Sequence, residues 1–394
     1  MKALTSKNYF IHSIILLLWI FMGTPLQAQA PAGYYTTATG TGATLKTQLY
    51  NIIKGHTVIS YDGLYAKYVT TDDVNNAGVY VWDMYSDIPG STPEPYLYTF
   101  GSGDQCGTYN SEGDCFNREH SMPASWFADA SPMYSDLFHV VPTDGYVNNR
   151  RSNYPFGEVS SPDWTSLNGS KVGNCSFPGY SGDVFEPIDE YKGDFARTYF
   201  YMATRYENVN ASWASKTPQA DAALLSNNFP FFETWFLNML GEWHVADPVS
   251  QKEVDRNNAI YGIQGNRNPF IDNPTYVYQI WGVGQTINVT EPTQQPGNFS
   301  ANSITLNWTD GAGADGYLIR YSNVGFNDIS TPVDGTMYNG SSDYYAGVGA
   351  QTAVIGGLQS GVTYYFKLFP YNGSGIGINY KTDSPPQVSL QTGE

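Results

Sequence analysis

The chain has 394 residues, a formal net charge of −17 and a pI near 4.5. This balance argues against any partner held by general electrostatic attraction, because proteins that grip polyanions in that way present a basic face. The length exceeds what one hydrophobic core usually serves, so we expect two domains.

The first thirty residues have the pattern of a signal peptide. Lys2 and Lys7 precede the apolar run 11–21, and the sequence Ala-Gln-Ala at 28–30 is typical of a cleavage site. The apolar run is too short to span a bilayer. We therefore predict a signal peptide of the bacterial type at 1–30 and a secreted or periplasmic protein without membrane insertion.

Residues 31–285 are predicted to form one α+β domain. Runs such as GVYVWDMYS (78–86) indicate strands, whereas 194–209 and 229–245 have aromatic and aliphatic residues at helical spacing. We expect the aromatic residues of both helical segments to pack in the core.

Three cysteines fit the oxidising compartment that a signal peptide implies. Cys106 and Cys115 are close enough in sequence to close one small loop, and a disulfide there would stabilise the fold by about 2 to 3 kcal/mol. Three unpaired thiols are the alternative. Cys175 is then either buried and inert or paired in a way that the sequence does not specify.

Two polar segments follow. NREHSMPASWF (117–127) places Glu119 beside His120, and GYVNNRRSNYPFGEV (145–159) concentrates Asn and Arg on a stretch that can begin a helix near Asp144 or Asn148. Each segment alone is as compatible with a polar kink or a turn-rich surface as with chemistry. Their combination favours chemistry.

Phosphodiester hydrolysis needs a base for the attacking water, a hard cation, and donors that hold the phosphate. Histidine suits the first role, carboxylate and amide oxygens suit Mg²⁺ or Ca²⁺, and arginine suits the third. Neighbours on a strand point to opposite faces, so Glu119 and His120 can flank a phosphate but cannot converge on one atom.

The C-terminal part is predicted to be all-β. A linker rich in Pro, Gln and Thr occupies 288–297, and the runs 303–308, 316–322 and 363–372 alternate between apolar and polar residues as in an immunoglobulin-like sandwich. No reactive cluster occurs there. Residues 286–394 are therefore assigned to a linker and a spacer or adhesion module whose partner the sequence does not identify.

Four positions carry a closer resemblance. Trp308, Tyr321, Leu358 and Tyr364 match the pattern of fibronectin type III modules. The resemblance covers about residues 293–392.

Four motifs of the first domain occur in a familiar order. They are NREHSMPASWF, DLFHVVPTDGYVNNRRSNYPFGEV, KGDFARTYFYM and IQGNRNPFID. In this order and spacing they resemble the endonuclease I family of secreted and periplasmic nucleases, over most of residues 45–275. The resemblance implies a His-Me finger, also called a ββα-metal fold.

The resemblance also implies roles. His120 is the expected general base, and Glu119 and Asn148 are the expected ligands of a divalent metal, usually Mg²⁺, with Ca²⁺ or Mn²⁺ as alternatives. Arg151 is the expected catalytic contact to phosphate. The implied substrates are DNA and also RNA, cleaved with little sequence preference to leave 5′-phosphates.

The chain departs from the family at two places. Family members often carry His at the position of Phe138, and His139 beside it either supports the base or only packs. Some relatives place a catalytic arginine in a segment where this chain, between 121 and 136, has none. Asn153 is expected to hold the end of the helix. Substrate binding is expected from Arg150 and Arg118.

Two other classes of function compete with a nuclease. Carbohydrate-active hydrolases also carry fibronectin-like modules, but their chemistry needs two converging carboxylates and has no use for His120. An adhesin whose first domain has lost activity is the other alternative, and the intact Glu119, His120 and Asn148 argue against it. Zinc protease chemistry is set aside because no His-Glu-x-x-His spacing occurs.

Overall fold

A computed structural model of the protein describes residues 30–75, 77–90, 95–101, 103–283, 293–310, 314–333, 336–373, 378–382 and 385–393. The predicted signal peptide, apart from its last residue, lies outside these residues, as does the first half of the predicted linker (288–292), so both stay predictions. The second half of that linker, 293–297, is instead part of a strand that pairs within the C-terminal sheet. Within the described residues, no helix combines the length and the apolar character that a membrane crossing requires.

Helices dominate the part of the chain before residue 284. Their bounds are α1 Gly42–Ile53, α2 Leu64–Thr71, α3 Gly145–Arg151, α4 Lys192–Arg205, α5 Pro218–Ala223, α6 Thr234–Ala246, α7 Gln251–Gln264, α8 Pro269–Asp272 and α9 Thr275–Trp281. Two small antiparallel sheets accompany them. One pairs β1 (Phe116–His120) with β2 (Val140–Asp144), and the other has the order β3 (Val159–Thr165), β4 (Lys171–Cys175), β5 (Asp183–Glu186).

The two predicted helices exist, with shifted ends. Helix α4 is buried almost throughout, as its aromatic content predicts, and it packs against α1 and α6. Helix α6 begins at Thr234 rather than at 229. Phe231 explains the later start, because its φ of 76° is a left-handed conformation that cannot belong to a right-handed helix.

Helix α7 was not predicted, yet its ends carry strong signals. Ser250 and Glu253 form a capping box, in which each side chain binds the backbone N–H of the other residue. Gly265 ends the helix with a φ of 81°, a left-handed conformation that glycine adopts without steric penalty.

The predicted strand over 78–86 is wrong. Tyr80 and Val81 form isolated bridges only. Beyond them the Asp83 carboxylate accepts the backbone N–H of Tyr85 at 2.8 Å. An aspartate that binds the backbone two residues ahead closes a turn, which competes with strand pairing.

The disulfide between Cys106 and Cys115 is confirmed. It closes a loop of nine positions immediately before β1. Cys175 is free and buried, which is one of the two alternatives left open by the sequence.

The C-terminal part is a β-sandwich, as predicted. One antiparallel sheet has the order β10 (Thr352–Gly356), β7 (Ser303–Thr309), β6 (Thr293–Phe299). The other has the order β12 (Asn379–Tyr380), β11 (Thr363–Asn372), β8 (Gly316–Ser322), β9 (Asp343–Gly347), and β13 (Gln387–Gln391) also pairs with β11. Trp308 and Leu306 from the first sheet share one core with Ile319 and Phe366 from the second.

Candidate active site

The β1–β2 hairpin and α3 form one continuous unit. In the hairpin His120 lies opposite Val140 and Phe116 lies opposite Asp144. The Asp144 carboxylate then accepts the backbone N–H of Val147 at 2.8 Å, so the helix begins directly where the strand ends. The prediction of a helix near Asp144 is confirmed, and the unit has the ββα order that the resemblance implies.

His120 lies in an aromatic cage at the end of β1. Its Nε2 is 3.0 Å from the carbonyl oxygen of Tyr134, and a carbonyl only accepts, so Nε2 carries the hydrogen and Nδ1 is left with a lone pair. The ring stacks on Tyr61 at 5.7 Å and 18° and lies 4.9 Å from the Tyr134 ring. Burial, followed by the nearby His139, lowers the pKa of His120 to about 3.

Glu119 points to the opposite face of the strand, as expected for a neighbour of His120. Its side chain is almost fully buried. The Oε1 atom accepts the Tyr85 hydroxyl at 2.9 Å and pairs with Nη1 of Arg151 at 3.0 Å. Burial raises the pKa of Glu119, and the charge of Arg151 opposes this effect. Both of these side-chain contacts involve Oε1 alone.

Arg151 is buried beneath the site, with 1% of its surface exposed. Nη1 donates to the His120 carbonyl at 2.9 Å and Nη2 donates to the Ser121 carbonyl. The guanidinium also lies over the Phe156 ring at 4.8 Å. This placement favours a role in holding Glu119 and the end of β1, instead of the phosphate contact expected from the sequence.

Asn148 points from α3 towards β1. Its Nδ2 is 3.4 Å from the carbonyl oxygen of Arg118, so the side-chain amide contacts the peptide unit that joins Arg118 to Glu119. The residue is half-buried. The two predicted metal ligands are thus on facing elements, although 29 sequence positions separate them.

Comparison with known proteins decides the family. The sequence profile of the endonuclease I family matches residues 41–275, more than half of the chain. The chain belongs to the endonuclease I family. Relatives include an extracellular ribonuclease of Bacillus amyloliquefaciens, 34% identical over 63% of this chain and 78% of that protein. A periplasmic deoxyribonuclease of Aeromonas hydrophila is 24% identical over 65% of this chain and 92% of that protein.

Membership of the endonuclease I family makes the protein a nuclease. Among solved structures, the chain is similar to the fn3 domain of the human collagen alpha-1(XX) chain, at 17% identity and a TM-score of 0.20. That similarity covers 28% of this chain and 91% of the collagen domain.

The site of this endonuclease I domain offers oxygen ligands of the kind that hard divalent cations prefer. Glu119 supplies a carboxylate and Asn148 an amide oxygen. Over the residues that the structure describes, no group of three or more His, Cys, Asp or Glu could hold a metal ion. A two-residue site fits Mg²⁺, which usually keeps several water ligands.

Arg118 lies on the same face of β1 as His120, two residues away. Its guanidinium lies over the ring of Tyr61 at 3.7 Å and over the ring of Tyr65 at 4.5 Å. Nη1 also donates to the Tyr61 carbonyl at 3.0 Å. The same tyrosine therefore orients both the arginine and the imidazole. The sequence analysis missed Tyr61, because nothing near position 61 marks it.

The other predicted site residues are either exposed on the surface or buried beneath His120. Arg150 is exposed, 5.2 Å from the Trp164 ring. Asn153 is exposed just after α3. His139 is fully buried, with Nε2 donating to the Met133 carbonyl at 2.6 Å and its ring 5.6 Å from that of His120. The contact with His120 favours a supporting role.

Proposed function

We propose that the protein is a secreted, metal-dependent endonuclease that hydrolyses phosphodiester bonds of DNA and RNA with little sequence preference and leaves 5′-phosphates. One observation carries the proposal. The hydrogen bond from Nε2 of His120 to the Tyr134 carbonyl leaves Nδ1 as a free proton acceptor. A general base needs such an atom.

His120 acts on the attacking water. The Tyr134 carbonyl fixes its tautomer, and the rings of Tyr61 and Tyr134 fix its plane, so that Nδ1 takes the proton as the water oxygen attacks phosphorus. Burial keeps the imidazole neutral, the form that accepts a proton.

Glu119 and Asn148 would hold the divalent cation, Mg²⁺ or alternatively Ca²⁺ or Mn²⁺. When bound, the cation neutralises charge on the phosphate and the leaving oxygen. The chain's contribution is to fix the carboxylate. Tyr85 and Arg151 both bind Oε1. These contacts hold the carboxylate in one orientation and leave Oε2 as the proposed metal ligand.

Arg118 is the proposed phosphate donor. Contacts with two tyrosine rings restrict the movement of the guanidinium, so little conformational entropy is lost when it binds phosphate. Arg150, exposed at the end of α3, is a further candidate for backbone contact. Arg151 acts through Glu119 and is a positioning residue.

Secretion and breadth of substrate are supported by the relatives. They include an extracellular ribonuclease and a periplasmic deoxyribonuclease. The disulfide between Cys106 and Cys115 fits an oxidising compartment.

The test is plasmid cleavage by His120→Ala. The change deletes the base, so we expect a loss of at least about a hundredfold in rate. Added imidazole should restore part of it. His244→Ala removes another buried histidine, far from the finger in sequence, and serves as the control. Residual activity of His120→Ala within tenfold of wild type would defeat the assignment of the base, and cleavage that persists in EDTA would defeat the metal dependence.

A further inference from the structure

A cavity of about 520 Å³ lies behind the candidate active site. One wall is the segment 127–133, and the others come from α1 and from the end of α4 with the residues that follow it. Phe127 separates it from the site, because its ring is 6.2 Å from that of His120 and 5.6 Å from that of Trp213. The volume is within the range of small-ligand sites.

The cavity is basic in a strongly acidic protein. Lys54, Arg205 and Lys216 line it, and no carboxylate does. Over the described residues, none of these three side chains forms a salt bridge, whereas most arginines of the chain do. Two acidic residues, Asp129 and Glu207, are close in sequence to residues that line the cavity but do not line it themselves. Glu207 binds Lys46 and Thr47, and Asp129 is exposed.

His56 fixes the position of the Arg205 guanidinium. Its Nε and Nη2 both lie against Nδ1 of His56, at 3.1 Å and 2.8 Å. A histidine nitrogen that accepts from a guanidinium has no proton, so His56 orients Arg205 without cancelling its charge. Arg205 is only 7% exposed. A buried cation without a carboxylate partner is costly unless an anion can reach it.

Apolar side chains complete the lining. Phe127, Tyr50 and Trp213 form walls beside the three cations. Cationic side chains next to aromatic ones are the combination with which proteins bind nucleotides, since the phosphate takes the charges and the base or sugar takes the apolar wall.

We propose that this cavity binds a nucleoside 5′-phosphate, either free or as one unit of a nucleic-acid strand. Lys54, Arg205 and Lys216 hold its phosphate. That the ligand is an anion is inferred from the lining of the cavity alone. That this anion is a nucleotide rests on the proposed function.

Calorimetric titration of the full-length His120→Ala protein in EDTA tests the proposal without any cleavage. The probes are thymidine 5′-monophosphate, a short single-stranded oligonucleotide and inorganic phosphate. We expect the nucleotides to bind at least tenfold more tightly than inorganic phosphate. Equal affinity for the two nucleotide probes identifies the free nucleotide as the ligand, and tighter binding of the oligonucleotide identifies the strand.

Adding Lys54→Gln and Lys216→Gln should weaken nucleotide binding at least tenfold. Lys367→Gln with Lys381→Gln, which removes the same charge from the β-sandwich, should leave it unchanged. The proposal is overturned if no nucleotide binds, if inorganic phosphate binds as tightly, or if both double variants behave alike. Because no cleavage is measured, failure here leaves the assay of His120 unaffected.

Discussion

Replacing Arg151 by Met distinguishes a positioning arginine from a phosphate contact. The substitution keeps most of the side-chain volume and removes the charge. Glu119 then stays buried without its ion pair, and the carbonyls of His120 and Ser121 lose the hydrogen bonds from Arg151, although the Tyr199 hydroxyl still donates to the Ser121 carbonyl. Breaking a buried ion pair by removing one partner costs about 3 to 5 kcal/mol, so we expect a loss of this size in the free energy of unfolding.

Urea unfolding measures the loss, and Arg150→Met is the matched control. Arg150 is the exposed neighbour on the same helix, so its replacement should change stability by less than about 0.5 kcal/mol. Adding Glu119→Gln to Arg151→Met should recover stability, because no uncompensated charge is then buried.

The opposite pattern would refute this reasoning. An arginine that mainly contacts phosphate predicts an unfolding midpoint equal to that of wild type, a raised KM, and no recovery of stability in the double variant. An Arg151→Met protein that unfolds like wild type would therefore mean that Arg151 does not support Glu119.

Three further predictions concern the scaffold. Replacing Cys106 and Cys115 by Ser should lower the free energy of unfolding by about 2 to 3 kcal/mol, measured by urea titration. Tyr85→Phe removes a hydrogen bond to the Glu119 carboxylate and should cost about 1.5 to 3 kcal/mol in the same titration. Burial, then the charge of Arg197, lowers the pKa of His244 to about 3. Its folded pKa is below its unfolded value, so this residue's contribution is present above about pH 6.5 and is lost as the pH falls towards 3. His244→Gln should therefore reduce acid destabilisation in that window by up to about 5 kcal/mol, measured by unfolding at a series of pH values.

Each of these has a contrary outcome. Equal stability of the cysteine variant and the oxidised wild type would show that the loop is constrained without the disulfide. A Tyr85→Phe protein as stable as wild type would mean that Glu119 gains nothing from the hydroxyl. An unchanged slope of stability against pH in His244→Gln would mean that this histidine titrates normally.

The helix of the finger could be predicted from the residues because its signals are local, whereas the ββα arrangement was implied by the family resemblance. Asp144 is a strong helix-capping residue directly after an apolar strand, and the break at Asn153-Tyr154-Pro155 ends the helix. The sandwich was predictable for the same reason, since alternation along each strand is a local pattern.

The position of Arg151 was not read from the sequence, although a signal was present. Arg151 follows Val147 by four positions, which places both on one face of α3, and Val147 is fully buried. The neighbouring Arg150 lies about 100° further round the helix and is exposed.

Tyr61 and Tyr85 could not be found by local reasoning. They reach the site from 59 and 34 positions before His120 and Glu119, and aromatic residues are frequent throughout this chain. Their contacts depend on how distant segments pack, which periodicity does not encode. The wrong strand over 78–86 has a related origin, because a side chain, Asp83, redirects an apolar run into a turn.

Divalent-cation affinity of Asn148→Ala tests the account most directly, with Asn149→Ala as the control on the exposed side of the same helix. Calorimetric titration with Mn²⁺ should show binding to wild type and to Asn149→Ala, and at least tenfold weaker binding to Asn148→Ala. Equal Mn²⁺ affinity of all three proteins would contradict a cation shared by Glu119 and Asn148.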